Sequence, residues 1–165
     1  MIRRATYDDS TRLGEIHIFG WRSAYRGIIS DEYLFSKLSV PKRIAAFQKA
    51  IDGNEDETYI YDDNGIIKGF MTIGKCRNED KKNCFELWGI YIDPCFKRNG
   101  IGRQLISFCE QEAVKREFKE NVLWVFKNNI SSRRFYEAMG YIEDGKEQEI
   151  ESFKAIEMRY KKDLL

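Results

Sequence analysis

Leu87-Trp88-Gly89-Ile90-Tyr91-Ile92-Asp93-Pro94, continued by Cys95-Phe96-Lys97-Arg98-Asn99-Gly100-Ile101-Gly102-Arg103-Gln104-Leu105, is the stretch around which the rest of the chain falls into order. Its first half belongs to an apolar run of strand length, 85–92. Its second half opens a segment with Ile101, Leu105, Phe108 and Cys109 at helical spacing. The joint holds two glycines, which let the backbone turn sharply and come close to a ligand, and the first N–H groups of the helix have no internal acceptor. With the positive end of the helix dipole and the charges of Lys97, Arg98 and Arg103, the joint forms an anion site whose natural occupant is a phosphate. No Gly-Lys-Ser/Thr follows, and Leu105 stands where a dinucleotide fingerprint needs Gly or Ala, so nucleoside triphosphates and NAD are disfavoured.

Downstream, Val122-Leu123-Trp124-Val125-Phe126 is a continuous apolar strand that must be covered on both sides. The strand-helix-strand unit predicts a parallel pair with a right-handed crossover. A helix is expected over about 132–139, ending at Gly140, and a last strand over about 153–160. Upstream, a short strand at 2–7 leads to a helix capped by Asp8, Asp9 or Ser10, with Leu13, Ile16 and His17 on one face and Trp21 and Tyr25 continuing the stripe to Gly27. Ser30 reads as a further cap, and Pro41 suits the first turn of a helix bearing Ile44, Phe47 and Ile51. Strands at 58–61 and 66–73 flank Asn64-Gly65, a hairpin signal. The expected fold class is α+β, a mixed, mostly antiparallel central sheet of six or seven strands flanked by helices.

Composition narrows the function. The chain has 165 residues, enough to bury roughly 70% of its unfolded surface in one domain. Its 28 Lys and Arg against 27 Asp and Glu leave a net charge of +1, without the basic excess of a dedicated nucleic-acid binder. No apolar run approaches the ~20 residues of a membrane span, and Met1-Ile2-Arg3-Arg4 runs into polar residues instead of a signal-peptide core, so no membrane association and a cytoplasmic location are expected. Cys76, Cys84, Cys95 and Cys109 lack metal-site spacing and read as reduced thiols; with His17 the only histidine, a Cys2His2 zinc site is excluded and no metal is expected.

The segment 87–105 resembles motif A of the GNAT superfamily of N-acetyltransferases, whose signature is Gln/Arg-x-x-Gly-x-Gly/Ala, with Lys97 at the Gln/Arg position. Asn129-Ile130-Ser131-Ser132-Arg133-Arg134-Phe135-Tyr136-Glu137-Ala138-Met139-Gly140-Tyr141 is similar to its motif B, with Ser132 for Ala and Tyr141 for Phe. The order of elements from residue 2 to about 160 also matches. The resemblance implies one acetyltransferase domain over 1–165, a parallel strand pair splayed at a bulge, for which Gly89 is a candidate, and acetyl-CoA as cosubstrate. It places the pyrophosphate on the backbone of Arg98, Asn99, Gly100, Ile101, Gly102 and Arg103 beside Lys97. The pantetheine would lie along Ile90, Tyr91 and Ile92, reaching Asn129, Ser132 and Phe135.

Direct transfer needs a neutral amine, an oxyanion donor and an acid for the departing thiolate. The resemblance assigns the acid to Tyr136 and the oxyanion donor to a backbone N–H of the 90–92 strand. Glu86, inside an otherwise apolar strand, is the candidate base, with Glu151 and Glu157 as alternatives. Its other reading is a carboxylate paired with a cation. His17 reads as structural, and Trp21 and Tyr25 as core or as acceptor-pocket lining. The acceptor is a primary amine of a small molecule or peptide, and a homodimer is open. Two rival readings are a non-catalytic acyl-CoA sensor and a nucleic-acid-binding domain using Lys97, Arg98, Arg103, Lys127, Arg133 and Arg134.

Overall fold

The computed structural model describes residues 1–81 and 83–164. Its strands are β1 (Ile2–Arg4), β2 (Glu57–Asp63), β3 (Ile66–Lys75), β4 (Phe85–Ile92), β5 (Glu120–Phe126), β6 (Ile142–Ile150) and β7 (Ala155–Asp163). They form one sheet in the order β1-β2-β3-β4-β5-β7-β6, antiparallel at every step except β4 to β5. Helices α1 (Ser10–Ala24) and α2 (Val40–Asp52) precede β2, with a π-helical turn at Tyr33–Lys37 between them; α3 (Ile101–Lys115) links β4 to β5, and α4 (Ile130–Ala138) follows β5. The expected α+β sheet and its parallel pair are both present.

Local chemistry accounts for most boundaries. Asn64 (φ 54°) and Gly65 (φ 84°) turn β2 into β3, and the Asp62 carboxylate accepts the Gly65 N–H at 2.8 Å. The expected first strand stops early because Asp9 accepts the Thr6 N–H at 2.7 Å and turns the chain into α1. Ser39 caps α2, with Pro41 in its first turn. The final strand starts at Ala155 instead of 153, since Phe153 lies in the turn that joins it to β6.

One irregularity shapes the site. Thr72 pairs with Gly89 and Ile73 with Leu87, so Trp88 is an extra residue on β4. A one-residue insertion reverses the facing of every later side chain. Phe85 and Leu87 therefore share the α3 face with Ile90 and Ile92, while Glu86 and Tyr91 turn to the α1 face. Gly89 is the bulge's neighbour, and a Cβ there would stand 3.0 Å from the Tyr91 ring.

On the α3 face, Leu105, Ile106, Cys109 and Ala113 pack on Met71, Ile73, Phe85, Leu87, Leu123 and Val125. Full burial of such a Leu, Ile or Phe contributes roughly 1.5–3 kcal/mol. The α1 face buries Leu13, Ile16, Phe47, Ile60 and Phe70. A Cβ on Gly14 would stand 2.6 Å from Ile44 Cγ1, so the glycine is what lets α2 cross α1 this closely.

The cysteines correct the expectation of four reduced thiols. Cys76 and Cys84 form a disulfide, with their Cα atoms 5.3 Å apart, where β3 and β4 meet their connecting loop; Cys95 and Cys109 are free. Strand register sets that pairing, and register is not visible in an eight-residue separation. Among the described residues no helix is long and apolar enough to cross a membrane.

Candidate active site

β4 and β5 pair only at Phe85 with Asn121, Glu86 with Val122 and Leu87 with Leu123. Beyond Leu87 the strands part, and the β5-facing edge of β4 from Trp88 to Ile92 has no strand partner among the described residues. At the end of this cleft lies the glycine turn. Arg98 (φ 66°) and Gly100 (φ 74°) take left-handed conformations, and Gly100 caps α3. The first backbone bond into the helix runs from Gln104 N–H to the Gly100 carbonyl; the N–H groups of Arg98, Asn99, Gly100, Ile101, Gly102 and Arg103 are bonded to no described acceptor. Six successive free donors at a helix N-terminus, with Lys97, Arg98 and Arg103 close by, make an anion cradle. Lys97 is tethered by its Nζ donating to Ser23 Oγ at 3.1 Å.

α4 forms the other wall. A Cβ on Gly102 would stand 3.1 Å from the Phe135 ring, so this glycine sets how closely α3 approaches α4. Asn129 Oδ1 accepts the Ser132 N–H at 3.2 Å and caps α4, which leaves its Nδ2 donor free among the described residues. Tyr136 is buried, its hydroxyl makes no hydrogen bond among the described residues, and burial pushes its pKa above the ordinary phenol value. Burial thus keeps the phenol in its O–H form, available as a hydrogen-bond donor.

On the α1 face, aromatic rings from five parts of the chain meet. Trp21 stacks on His17 (5.2 Å between centroids), His17 lies against Tyr91 (4.7 Å), and Phe153 from the β6–β7 turn packs on Tyr33 (4.8 Å) and Trp21 (5.7 Å). Tyr25 packs on Phe126 of β5 (5.0 Å). Thus Tyr91, expected along the pantetheine, turns its ring to this face, while Ile90 and Ile92 face α3.

The two carboxylates differ. Glu86 is 1% exposed, but Arg77 Nη2 donates to its Oε1 at 2.6 Å and the Arg77 backbone N–H to its Oε2 at 2.8 Å, with Asn78 adding a longer bond. Both oxygens are engaged, as in the cation-paired reading of this residue. Glu157 on β7, one of the two weaker candidates from sequence, accepts only from Gln148 (3.0 Å) among the described residues, and burial raises its pKa. Glu157 pairs across the β5–β7 register with Phe126, whose ring packs on Tyr25, so it stands at the edge of the aromatic cluster. Glu151 is exposed in the β6–β7 turn. Of the basic residues invoked for nucleic acid, Lys127 is paired with Glu147, and Arg133 with Glu143 and the Tyr160 hydroxyl.

Residues 21–141 match the model of the acetyltransferase (GNAT) family. The chain is 29% identical over 140 residues to an uncharacterized N-acetyltransferase, YuaI, of Bacillus subtilis, spanning 83% of this chain and 77% of that protein. It is 27% identical over 148 residues to a spermidine N(1)-acetyltransferase of Thermoplasma acidophilum, spanning 87% and 89%. Among solved structures it is similar to the PaiA N-acetyltransferase of Thermoplasma acidophilum in complex with coenzyme A, with a TM-score of 0.74 over 96% of each chain at 23% identity. YncA of Salmonella typhimurium, solved with its cofactor acetyl-CoA, gives a TM-score of 0.68 at 17% identity over 100% of this chain and 94% of that one. Those two likenesses carry the fold; the family match spans most of the chain and both walls of the cleft. The chain belongs to the GNAT family of acetyltransferases.

Proposed function

We propose that the protein transfers an acetyl group from acetyl-CoA directly to a primary amine of a small molecule or peptide. The observation that carries this is the run of six unbonded N–H groups, 98–103, at the mouth of a cleft whose floor is an unpaired strand edge. The turn would hold the pyrophosphate, with Lys97, Arg98 and Arg103 around it. Pantetheine would add to the free edge of β4 at Ile90 and Ile92 as an extended peptide adds to a sheet. Asn129 Nδ2 would donate to the pantetheine, with Ser132 and Phe135 lining the α4 side.

In the reaction the neutral amine attacks the thioester carbon. A C–N bond forms and the C–S bond breaks; the leaving thiolate takes the Tyr136 proton, and the ammonium proton leaves through water to a carboxylate. We assign that carboxylate to Glu157, because Glu86 is saturated by Arg77 and Asn78. A β4 N–H would stabilise the oxyanion. A non-catalytic acyl-CoA sensor would not need the unbonded Tyr136 hydroxyl.

Incubation with acetyl-CoA and a panel of amines that includes spermidine, read by mass, tests the reading. N-acetylated products and free CoA in equal amounts are expected. No product from any amine, or no calorimetric binding of acetyl-CoA, would overturn it.

A further inference from the structure

Five buried side-chain polar atoms lack a hydrogen-bond partner among the described residues, and three of them, His17 Nδ1, Trp21 Nε1 and Arg43 Nε, lie together on facing turns of α1 and α2. Their rings form a chain. Trp21 stacks on His17, His17 touches Tyr91 and lies edge-on to Phe47 (6.2 Å), and the Arg43 guanidinium sits 4.7 Å over the Phe47 ring. Arg3, Arg77, Arg116 and Arg159 are each bound to a carboxylate, but the half-buried Arg43 side chain makes no ion pair and no hydrogen bond among the described residues.

A partly desolvated guanidinium with no carboxylate is unfavourable, and a ring face compensates only in part. His17 adds no second cation here, because burial and the nearby Arg43 hold it neutral, with its pKa lowered to about 3. Trp21 Nε1 and Arg43 Nε can only donate. The unmet need at this end of the cluster is therefore an anion with planar acceptors, which a carboxylate supplies. The ring chain links this end to the reaction centre: Trp21 packs on Tyr25 (5.1 Å), Tyr25 packs on Phe126 (5.0 Å), and Phe126 pairs across the β5–β7 register with Glu157.

We infer that the acceptor is an amino acid, whose carboxylate is held by Arg43 and the Trp21 indole N–H while its amine is presented toward Glu157. This rests on the acetyl-transfer reading above and narrows its substrate class. An amino acid matches charge at both ends of the cluster, whereas a polyamine would set a second cation against Arg43. Gly14 secures the arrangement, because its missing side chain lets Ile44, the neighbour of Arg43, come close to α1.

The test is a competition among free L-amino acids, their carboxamides, the corresponding decarboxylated amines and spermidine, with acetyl-CoA and detection by mass. The same pool is examined without acetyl-CoA by saturation-transfer NMR, so that carboxylate recognition is read separately from the reaction. A charged hydrogen-bonded pair predicts a preference of about tenfold or more in kcat/KM for amino acid over carboxamide, and the same order of binding by NMR. Arg43→Gln should erase the preference mainly through KM, and Arg43→Lys should restore part of it, with the melting temperature reporting that both variants fold. Equal or better use of carboxamides or spermidine, a preference that survives Arg43→Gln, or no amino acid bound by NMR would each overturn the inference. If acetyl-CoA does not bind while NMR still shows Arg43-dependent binding of amino acids, the transfer reading fails and carboxylate recognition stands.

Discussion

Arg77 grips Glu86 twice, with its guanidinium on one carboxylate oxygen at 2.6 Å and its backbone N–H on the other at 2.8 Å. Arg77 also lies over the Trp88 ring at 4.4 Å, so the pair ties the start of the β3–β4 loop to the bulge that opens the cleft. Glu86 thereby shapes the splay, with both of its oxygens engaged. Glu86→Gln is expected to lower stability by about 1–3 kcal/mol, toward the lower end because Arg77 is largely exposed. The acid limb of the pH–rate profile should stay where it is. Chemical denaturation and a pH series check this, and a displaced acid limb would return the base role to Glu86.

Glu157 should set that limb. Burial raises its pKa above the ordinary glutamate value, and a base works only when deprotonated, so kcat/KM should fall as pH drops through this raised pKa. Glu157→Gln should lower kcat by about 10²-fold or more and remove the limb. A pH–rate series on the wild type and the variant reads both effects.

Tyr136→Phe keeps the buried ring and deletes the hydroxyl. Loss of a general acid predicts a fall in kcat of about 10²–10⁴-fold, with calorimetric affinity for acetyl-CoA nearly unchanged. An unchanged kcat would remove the acid role.

His17 predicts acid sensitivity of the fold. Its folded pKa is lowered to about 3 from 6.5, so below pH 6.5 the unfolded chain takes up a proton that the folded one refuses. Stability should therefore fall by about 1.4 kcal/mol per pH unit between those values and be flat with respect to this group above 6.5. His17→Phe, compared by urea denaturation at pH 7 and pH 5, should lose less stability on acidification than the wild type.

Gly100 and Gly65 separate backbone strain from cofactor contact. Both have positive φ and open space where a Cβ would go, so Gly→Ala at either should cost about 1–2 kcal/mol. Calorimetry should find weaker acetyl-CoA binding only for Gly100→Ala, because Gly100 lies within the run of unbonded N–H groups and Gly65 does not.

The parts legible in sequence are those fixed by local chemistry. The Asn64-Gly65 turn, the β4-turn-α3 unit and the Asn129 cap each depend on neighbouring residues, and strand and helix periods located the core. β6 was invisible as a strand because Ile142–Ile150 is an edge almost wholly polar and exposed, with no alternation to detect. The facing of Tyr91 depends on the Trp88 bulge, a matter of register with β3. The cation that pairs with Glu86 is not legible in the sequence, because Arg77 lies nine residues back, in a loop whose path is set by the β3–β4 pairing. The polar atoms of His17, Trp21 and Arg43 meet through the α1–α2 crossing; Gly14 signals that crossing, but its meaning needs the partner helix.

Crystals grown with acetyl-CoA offer the sharpest measurement. The diphosphate oxygens should lie about 2.7–3.2 Å from backbone nitrogens within 98–103, with the pantetheine running along Ile90 and Ile92 toward Tyr136. Density for the coenzyme elsewhere, with that turn empty, would contradict the account.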